Sequence, residues 1–496
     1  MRRAALGARV MSGVACAVSG FLAAGCSSDK AMTALPPQSQ KRAPNIVMVL
    51  VDDMRWDEMH AVGHPFIETP NMDRLAREGA LFRNAFATTP LCSPSRACFL
   101  TGQYAHTNGI VDNTARPSHD LPVFPKDLQQ AGYRTGFFGK WHMGNDASPR
   151  PGFNRWVAMP GQGEALDPHL NVDGTEVQKT GYVTDVLTDY VEQFIGETGD
   201  QPFLVYLAHK AIHPNIVQRD DGSLVSVPGQ PGGFVAAARH RGRYAGKTMP
   251  RRPNAFHPPI DKPALMRTIG KLPPLGKETA TKDEEIRGRI EMLLAVDDSL
   301  GRILAMLENK RALDSTVVVF TSDHGYFYGE HGLNEERRLA YEETIRIPLL
   351  VRYPPAVKAG STPEQLVMSI DLAPTFLQLA GLQVPSRMQG RSLLPIFDGS
   401  ATSWRDAFLV EYYSDTVFPR VLNMGYSAVR TDRYKYIQYR DIRGMDELYD
   451  LRADPYEEHN RIGDPQSAAL LVTMRTRLNG LLTETSYTPP TPTAAR

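Results

Sequence analysis

Four short runs of this chain end in groups that can do chemistry. Asp52 and Asp53 close the apolar run NIVMVLVDD (45–53), and Asp323 with His324 end a later one, DSTVVVFTSDHG (314–325). Lys140 and His142 fall in GKWHMG, and His213 ends KAIH with His209 and Lys210 just before it. Three carboxylates and an imidazole gathered at one edge suit a divalent metal, because carboxylate oxygens favour hard cations such as Ca²⁺, Mg²⁺ or Mn²⁺. Acidic pairs after a strand also serve as helix N-caps, which is the plainer reading of either pair alone. Lys140 can clamp an anion, and His142 can act as a hydrogen-bond partner or base. Strand alternation would turn these two to the same side. A lone histidine such as His213 is more often structural than catalytic. Cys92 opens C-S-P-S-R in a Ser/Pro-rich stretch, four residues before Arg96. This is an odd place for an unpaired thiol.

The elements that must carry these groups read as strands buried on both faces. NIVMVLV, YRTGFFGK, QPFLVYLA and DSTVVVFTS are near-continuous apolar runs, the pattern of a sheet covered on both sides. Helical patterns lie between them, among them TPNMDRLAREGA with Thr69 as its N-cap and the long segment 282–309. Alternating strands and helices predict an α/β fold with a large, mostly parallel sheet flanked by helices, and ligands then bind beyond the carboxyl ends of the strands. All four polar clusters fall at such ends. Beyond DLAPTFLQLAGL (371–382) the pieces AFLVEYY, YSAVRT and YKYIQYR predict a small antiparallel sheet, followed by the helical QSAALLVTMRTRLNGLL. Residues 216–280, rich in Gly, Pro and basic residues, form either a substrate-facing excursion with cations for an anionic ligand or a solvated insertion.

Composition narrows the classes. The 496 residues hold 55 Lys+Arg against 55 Asp+Glu, so no overall basic field attracts nucleic acid, and an anionic substrate must be drawn by local charge. The first 26 residues carry Arg2, Arg3 and Arg9 before a short apolar run, the pattern of a signal peptide. That run ends in LAAGC, which resembles a lipoprotein processing box with Cys26 as the lipidated residue; an ordinary signal peptide is the alternative. The polar, Pro-bearing segment 27–43 reads as a tether, so the expected location is periplasmic or cell-envelope, anchored at Cys26. With Cys26 lipidated, only Cys92 and Cys98 could pair, and no disulfide framework holds the fold. Cys98 reads as a buried helix residue.

CSPSRACFLTG resembles the signature of the formylglycine-dependent (type I) sulfatase family, C-x-P-x-R followed by Thr-Gly. VDDMRWD, GKWHMG, KAIHP and TSDHGYFYGEHGL are similar to further blocks of that family in the same order, and weaker matches extend the likeness over roughly residues 44–462. The resemblance implies an alkaline-phosphatase-like fold, with a catalytic domain over 44–385, a C-terminal subdomain over 386–485 and a tail over 486–496. It implies that Cys92 is converted to Cα-formylglycine by a generating enzyme, and that Asp52, Asp53, Asp323, His324 and residue 92 hold one metal, Ca²⁺ first and Mg²⁺ or Mn²⁺ as alternatives. Arg96 would brace the formylglycine, Lys140 would clamp sulfate, His142 would act on the formylglycine hydroxyl, and His213 would meet the ester oxygen. His324 stands where many members carry Asn. Family members place a lysine shortly before the YEE of the later block; aligned back from Tyr341 that position is Arg337, and aligned from His331 it is Glu336. The implied activity is hydrolysis of O-sulfate esters, of carbohydrates ahead of aryl sulfates. The alternative within the superfamily is a phosphonate or phosphodiester hydrolase, and a binding protein on a dead scaffold is the alternative of another class.

Overall fold

The first of the four apolar runs forms the centre of the sheet. In this computed structural model, which describes residues 43–489 apart from 115–117, 220–222 and 414–416, Asn45–Val51 is a strand with parallel neighbours on both sides, Thr316–Ser322 and Phe203–Ala208. Its side chains alternate between two cores. Val47, Val49 and Val51 belong to one apolar cluster, while Ile46, Met48 and Leu50 belong to another. That is why the run is apolar throughout rather than alternating. The segments expected to be a signal peptide and a tether, with Cys26, lie outside the described residues.

Nine strands make up this sheet. From one edge they run Ala80–Leu81, Leu349–Arg352, Thr316–Ser322, Asn45–Val51, Phe203–Ala208, Arg134–Lys140, Arg155–Met159, His169–Val172 and Thr175–Gln178. The five central strands pair in parallel, and the strands at both edges are antiparallel. Helices Pro70–Glu78, Val183–Glu197 and Asp283–Asn309 contribute to the cluster on one face, and Cys92–Thr101, Phe124–Gln130 and Leu372–Leu379 to that on the other. The mixed, mostly parallel sheet expected from the sequence is therefore present.

One local expectation needs correction. Thr69 does sit before the helix Pro70–Glu78, but its hydroxyl does not cap it. The free amides of Asn71 and Met72 instead donate to the carboxylate of Asp297, from the long helix (Met72 N–Oδ1 2.9 Å). In the 216–280 excursion three arginines are held by carboxylates. Arg252 pairs with Asp57 and Glu343, Arg239 with Asp185 and Asp298, and Arg243 with Glu68. These contacts fasten the excursion down onto the body.

The small antiparallel sheet runs Ala407–Tyr412, Tyr426–Thr431, Tyr434–Tyr439 and Glu447–Asp450, the last being a strand the sequence reading lacked. Helix Ala468–Glu484 packs on it through Met474 and Leu478. Phe408, Tyr426 and Leu448 of this sheet share one apolar cluster with Phe86, Phe327 and Tyr341. No helix among the described residues is long and apolar enough to cross a membrane.

Candidate active site

The strand ends converge as the pattern required. Asp52, Cys92, Asp323 and His324 are buried, and each offers a ligand atom within 4.8 Å of the others. Cys92 Sγ lies 3.4 Å from His324 Nε2 and 3.7 Å from Asp52 Oδ1. Asp53, the fifth residue expected here, stands beside this group: its Oδ1 is 3.4 Å from His324 Nε2 and 2.8 Å from Arg337 Nε.

Cys92 is not in an exposed turn. It is the first residue of the helix Cys92–Thr101 and only 1% exposed. Pro94 is tolerated because the first-turn amides have no intrahelical partner, and Gly102 ends the helix in the left-handed conformation at φ 67°. Ser95 Oγ donates to the Asp323 carbonyl at 2.6 Å and ties the helix to the strand end beside it. Cys98 is buried in the same helix, and burial pushes its thiol up to about 12, which leaves it inert. Neither cysteine is in a disulfide.

Arg96 bridges three members of the cluster. Its guanidinium donates to Asp323 Oδ2 at 3.0 Å and to the Lys140 carbonyl at 2.7 Å, and lies 3.5 Å from Asp52 Oδ2. Lys140 Nζ forms a very close ion pair with Asp52. Burial would raise the Asp52 carboxyl, but the Lys140 and Arg96 charges outweigh it and hold it well below the usual range.

His142 reaches the site by a route that alternation did not foresee. The strand stops at Lys140, and His142 has a positive φ of 58°. Its Nε2 is 2.9 Å from Gln218 Oε1, and its Nδ1 is 3.5 Å from Ser93 Oγ. Burial and the Lys140 charge hold the ring well below the ordinary imidazole range, so it is neutral. His213 is neutral for the same two reasons. Its Nδ1 lies 2.9 Å from the Pro214 carbonyl, and its Nε2 accepts from Arg337 Nη2 at 2.9 Å.

The two possible alignments of the later block separate here. Arg337 touches both Asp53 and His213, while Glu336 turns to Arg420, 3.2 Å away. Lys210 Nζ is buried and donates to the Gln162 and Pro214 carbonyls at 3.2 and 3.0 Å; burial and Lys140 push it down to about 7. His209 lies deeper, 3.4 Å from Ser299 Oγ, and burial takes its ring down to about 3. Gln162, in a turn, and Gln218, at the end of the short strand Ile216–Gln218, escaped the sequence reading, because a lone glutamine carries no distinguishing signal. A cavity of about 370 Å³ beside Tyr104, Trp404 and Arg477 contains none of these groups.

The donor set fits a hard divalent cation. Both carboxylate oxygens of Asp53 are buried without a hydrogen-bond partner, its 2.8 Å contact with Arg337 being poorly aligned for one. Burial and the Asp52 charge push the Asp323 carboxyl up. Burial opposes charge on His324, yet Asp323 and Cys92 outweigh it and push the ring up to about 9. A proton on that imidazole therefore meets a charge demand that a metal would meet better. His324 Nδ1 is 3.0 Å from the Gly325 carbonyl, which leaves Nε2 toward the cluster as a ligand atom.

A sulfatase family model matches residues 44–382, and a model of the C-terminal part of N-sulphoglucosamine sulphohydrolase matches residues 329–484. The chain is 34% identical to an N-acetylglucosamine-6-O-sulfatase of Bacteroides thetaiotaomicron, over 88% of this chain and 86% of that one. A protein solved in complex with its substrate D-glucosamine-2-N,6-O-disulfate superposes with a TM-score of 0.80 at 32% identity, over 90% of this chain and 99% of the other. The phosphonate monoester hydrolase of Agrobacterium radiobacter superposes at 0.70 with 23% identity, over 90% and 98%, which is a likeness of fold.

Proposed function

This chain belongs to the sulfatase family and is a hydrolase of sulfuric esters, and from that premise we propose that it removes a 6-O-sulfate from a glucosamine-type sugar. The observation that carries the reading is the buried reactive group at residue 92, held among Asp52, Asp323 and His324 and ringed by Lys140, Arg96 and Arg337. Cys92 is 1% and Arg337 4% exposed. A sulfate carried on an exocyclic CH₂ reaches such a recessed centre with less of the sugar ring desolvated than a sulfate fixed directly to the ring. The likeness to 6-O-sulfatases points the same way.

Residue 92 acts in this reading as Cα-formylglycine, made from Cys92 by a generating enzyme; the hydrated aldehyde supplies one hydroxyl to attack sulfur and a second whose deprotonation expels sulfate. Asp52, Asp53, Asp323, His324 and residue 92 would hold the metal, calcium by the preponderance of oxygen donors, and a bound cation there polarises a sulfate oxygen and acidifies a neighbouring hydroxyl. The chain's own groups do the rest. Lys140 and Arg337 neutralise the sulfate oxygens, and the fork of Arg337 orients His213 at the same time. Arg96 keeps Asp52 and Asp323 from separating. His213 is neutral and its Nε2 lone pair is taken by Arg337 Nη2, so it must release that contact and take up a proton before it can give one to the leaving oxygen. The N-terminal pattern supports export and anchoring through Cys26.

The test is a panel in which the full chain, produced with a generating enzyme, meets glucosamine and N-acetylglucosamine 6-sulfates, 2-O- and 3-O-sulfated sugars, an aryl sulfate, a phosphodiester and a phosphonate. The 6-sulfates are expected to be turned over fastest, and a leading phosphonate or phosphodiester would overturn the reading. The peptide containing Cys92 should weigh about 18 Da less than the thiol form in active protein. Full turnover by protein that still carries the thiol would sink the nucleophile assignment.

A further inference from the structure

Taking the sulfatase reading as its premise, a second feature of the site concerns which nitrogen of His142 carries the proton. The ring is neutral and therefore has one N–H. Its Nε2 faces Gln218 Oε1 at 2.9 Å, and the same oxygen accepts from Gln162 Nε2 at 3.1 Å. A carbonyl oxygen offers only lone pairs, so the hydrogen on His142 belongs on Nε2. The Gln162 backbone is itself pinned, because Lys210 Nζ donates to its carbonyl. On the other side of the ring, Ser93 Oγ has a single proton and forms a very close hydrogen bond to the His142 carbonyl oxygen. That proton is therefore not available to Nδ1, 3.5 Å away. The Nδ1 lone pair faces the segment that begins with residue 92.

We propose that Gln162 and Gln218 are positioning residues that lock His142 in its Nε2–H tautomer, so that it takes up a proton through Nδ1. The geometry also gives part of the 216–280 excursion a purpose: the strand Ile216–Gln218 delivers the amide that orders the histidine. No bond to substrate is required of either glutamine. Their effect passes through the ring, and replacing them should change turnover more than affinity.

The test uses the full chain with calcium and ¹⁵N-histidine labelling, with His142 assigned by comparison with His142→Gln. Wild type should show His142 protonated at Nε2 and bare at Nδ1. Gln218→Leu should lose this single tautomer, with kcat falling about 10- to 100-fold while KM stays within about threefold. Gln218→Glu retains an acceptor but adds negative charge, so it should keep the tautomer and raise the acid limb of the kcat profile by about one pH unit. A wild-type ring protonated at Nδ1 would overturn the proposal. So would a Gln218→Leu variant with an unchanged tautomer and pH profile. Should Gln218→Leu not fold, Gln162→Met reads the same relay, and the wild-type spectrum needs no variant. The spectrum is independent of which sulfate ester is cleaved, so failure of the 6-sulfate assignment and failure of the relay are told apart.

Discussion

At the scale of single residues, the site is a problem in charge balance. Three buried aspartates, His324 and Cys92 crowd together, and Lys140, Arg96 and Arg337 supply the balancing positive charge. Arg337 carries two duties at once, since one edge meets Asp53 and another meets His213. A lysine has the charge but not the fork, and cannot span both partners. Arg337→Lys should therefore lower kcat/KM by about 10- to 100-fold while leaving the melting temperature nearly unchanged. Steady-state kinetics on the best sulfate ester check this. Activity equal to wild type would mean that only the charge at residue 337 matters.

The elements decide where those charges can stand. Strand ends deliver Asp52, Asp323 and Lys140, while positive φ angles at Asp53 (65°) and His142 (58°) turn the chain sharply just beyond. Gly139, one residue before Lys140, has φ 116°, and a Cβ there would lie 1.9 Å from the Ala208 carbonyl oxygen of the adjacent strand. Only glycine fits that approach. Gly139→Ala should cost on the order of 3 kcal/mol and displace Lys140, so that activity falls beyond what the lost stability explains. Thermal melts and kinetics at a temperature where the variant is folded separate the two effects. An unchanged melting temperature would contradict the packing argument. Much at this scale was legible in the sequence, because the four buried strands and the long helix Asp283–Asn309 carry unmistakable apolar periods. The cap from Asp297 was not legible, because a cap supplied from a distant helix leaves no local pattern.

Across the whole molecule, a buried ionic network supports the site from behind. Arg289 donates to the Asp53 carbonyl at 2.7 Å and lies 3.4 Å from Glu58, while Arg55 joins Asp57 and Glu330. Burial pushes the Glu58 carboxyl up to about 7, against the pull of Arg289 and Arg55. The sign of the resulting pH dependence follows from that direction. Between about pH 4.5 and 7 the folded chain retains a proton that the unfolded chain has released, so this group's contribution to stability is lost as pH rises through that window. Glu58→Gln has no such titration. Its stability relative to wild type should become more favourable from pH 5 to 8, by at most about 3 kcal/mol, as read from paired denaturant melts. A difference that stays flat with pH would show that Glu58 is ionised throughout.

The sequence by itself determined the fold class, the strands that end in reactive groups and the family, because apolar periodicity and the ordered blocks around CSPSR are local properties of the chain. It also marked Cys92, Arg96, Lys140, His142 and His213, but it left Arg337 and Glu336 unresolved and had no means of finding Gln162 or Gln218. Only the tertiary structure decided their neighbours, setting Arg337 against Asp53 and His213, Glu336 against Arg420, and Gln162 and Gln218 in one hydrogen-bonded line with His142, since these contacts join segments far apart in the chain. His142 and Gln218 are 76 residues apart, and Arg337 and His213 are 124 apart. The same folding buried Cys92 in the first turn of a helix and matched Arg252 of the 216–280 excursion to Asp57 and Glu343. Residue spacing shows which groups are available, whereas their charge and protonation depend on neighbours that only close packing supplies.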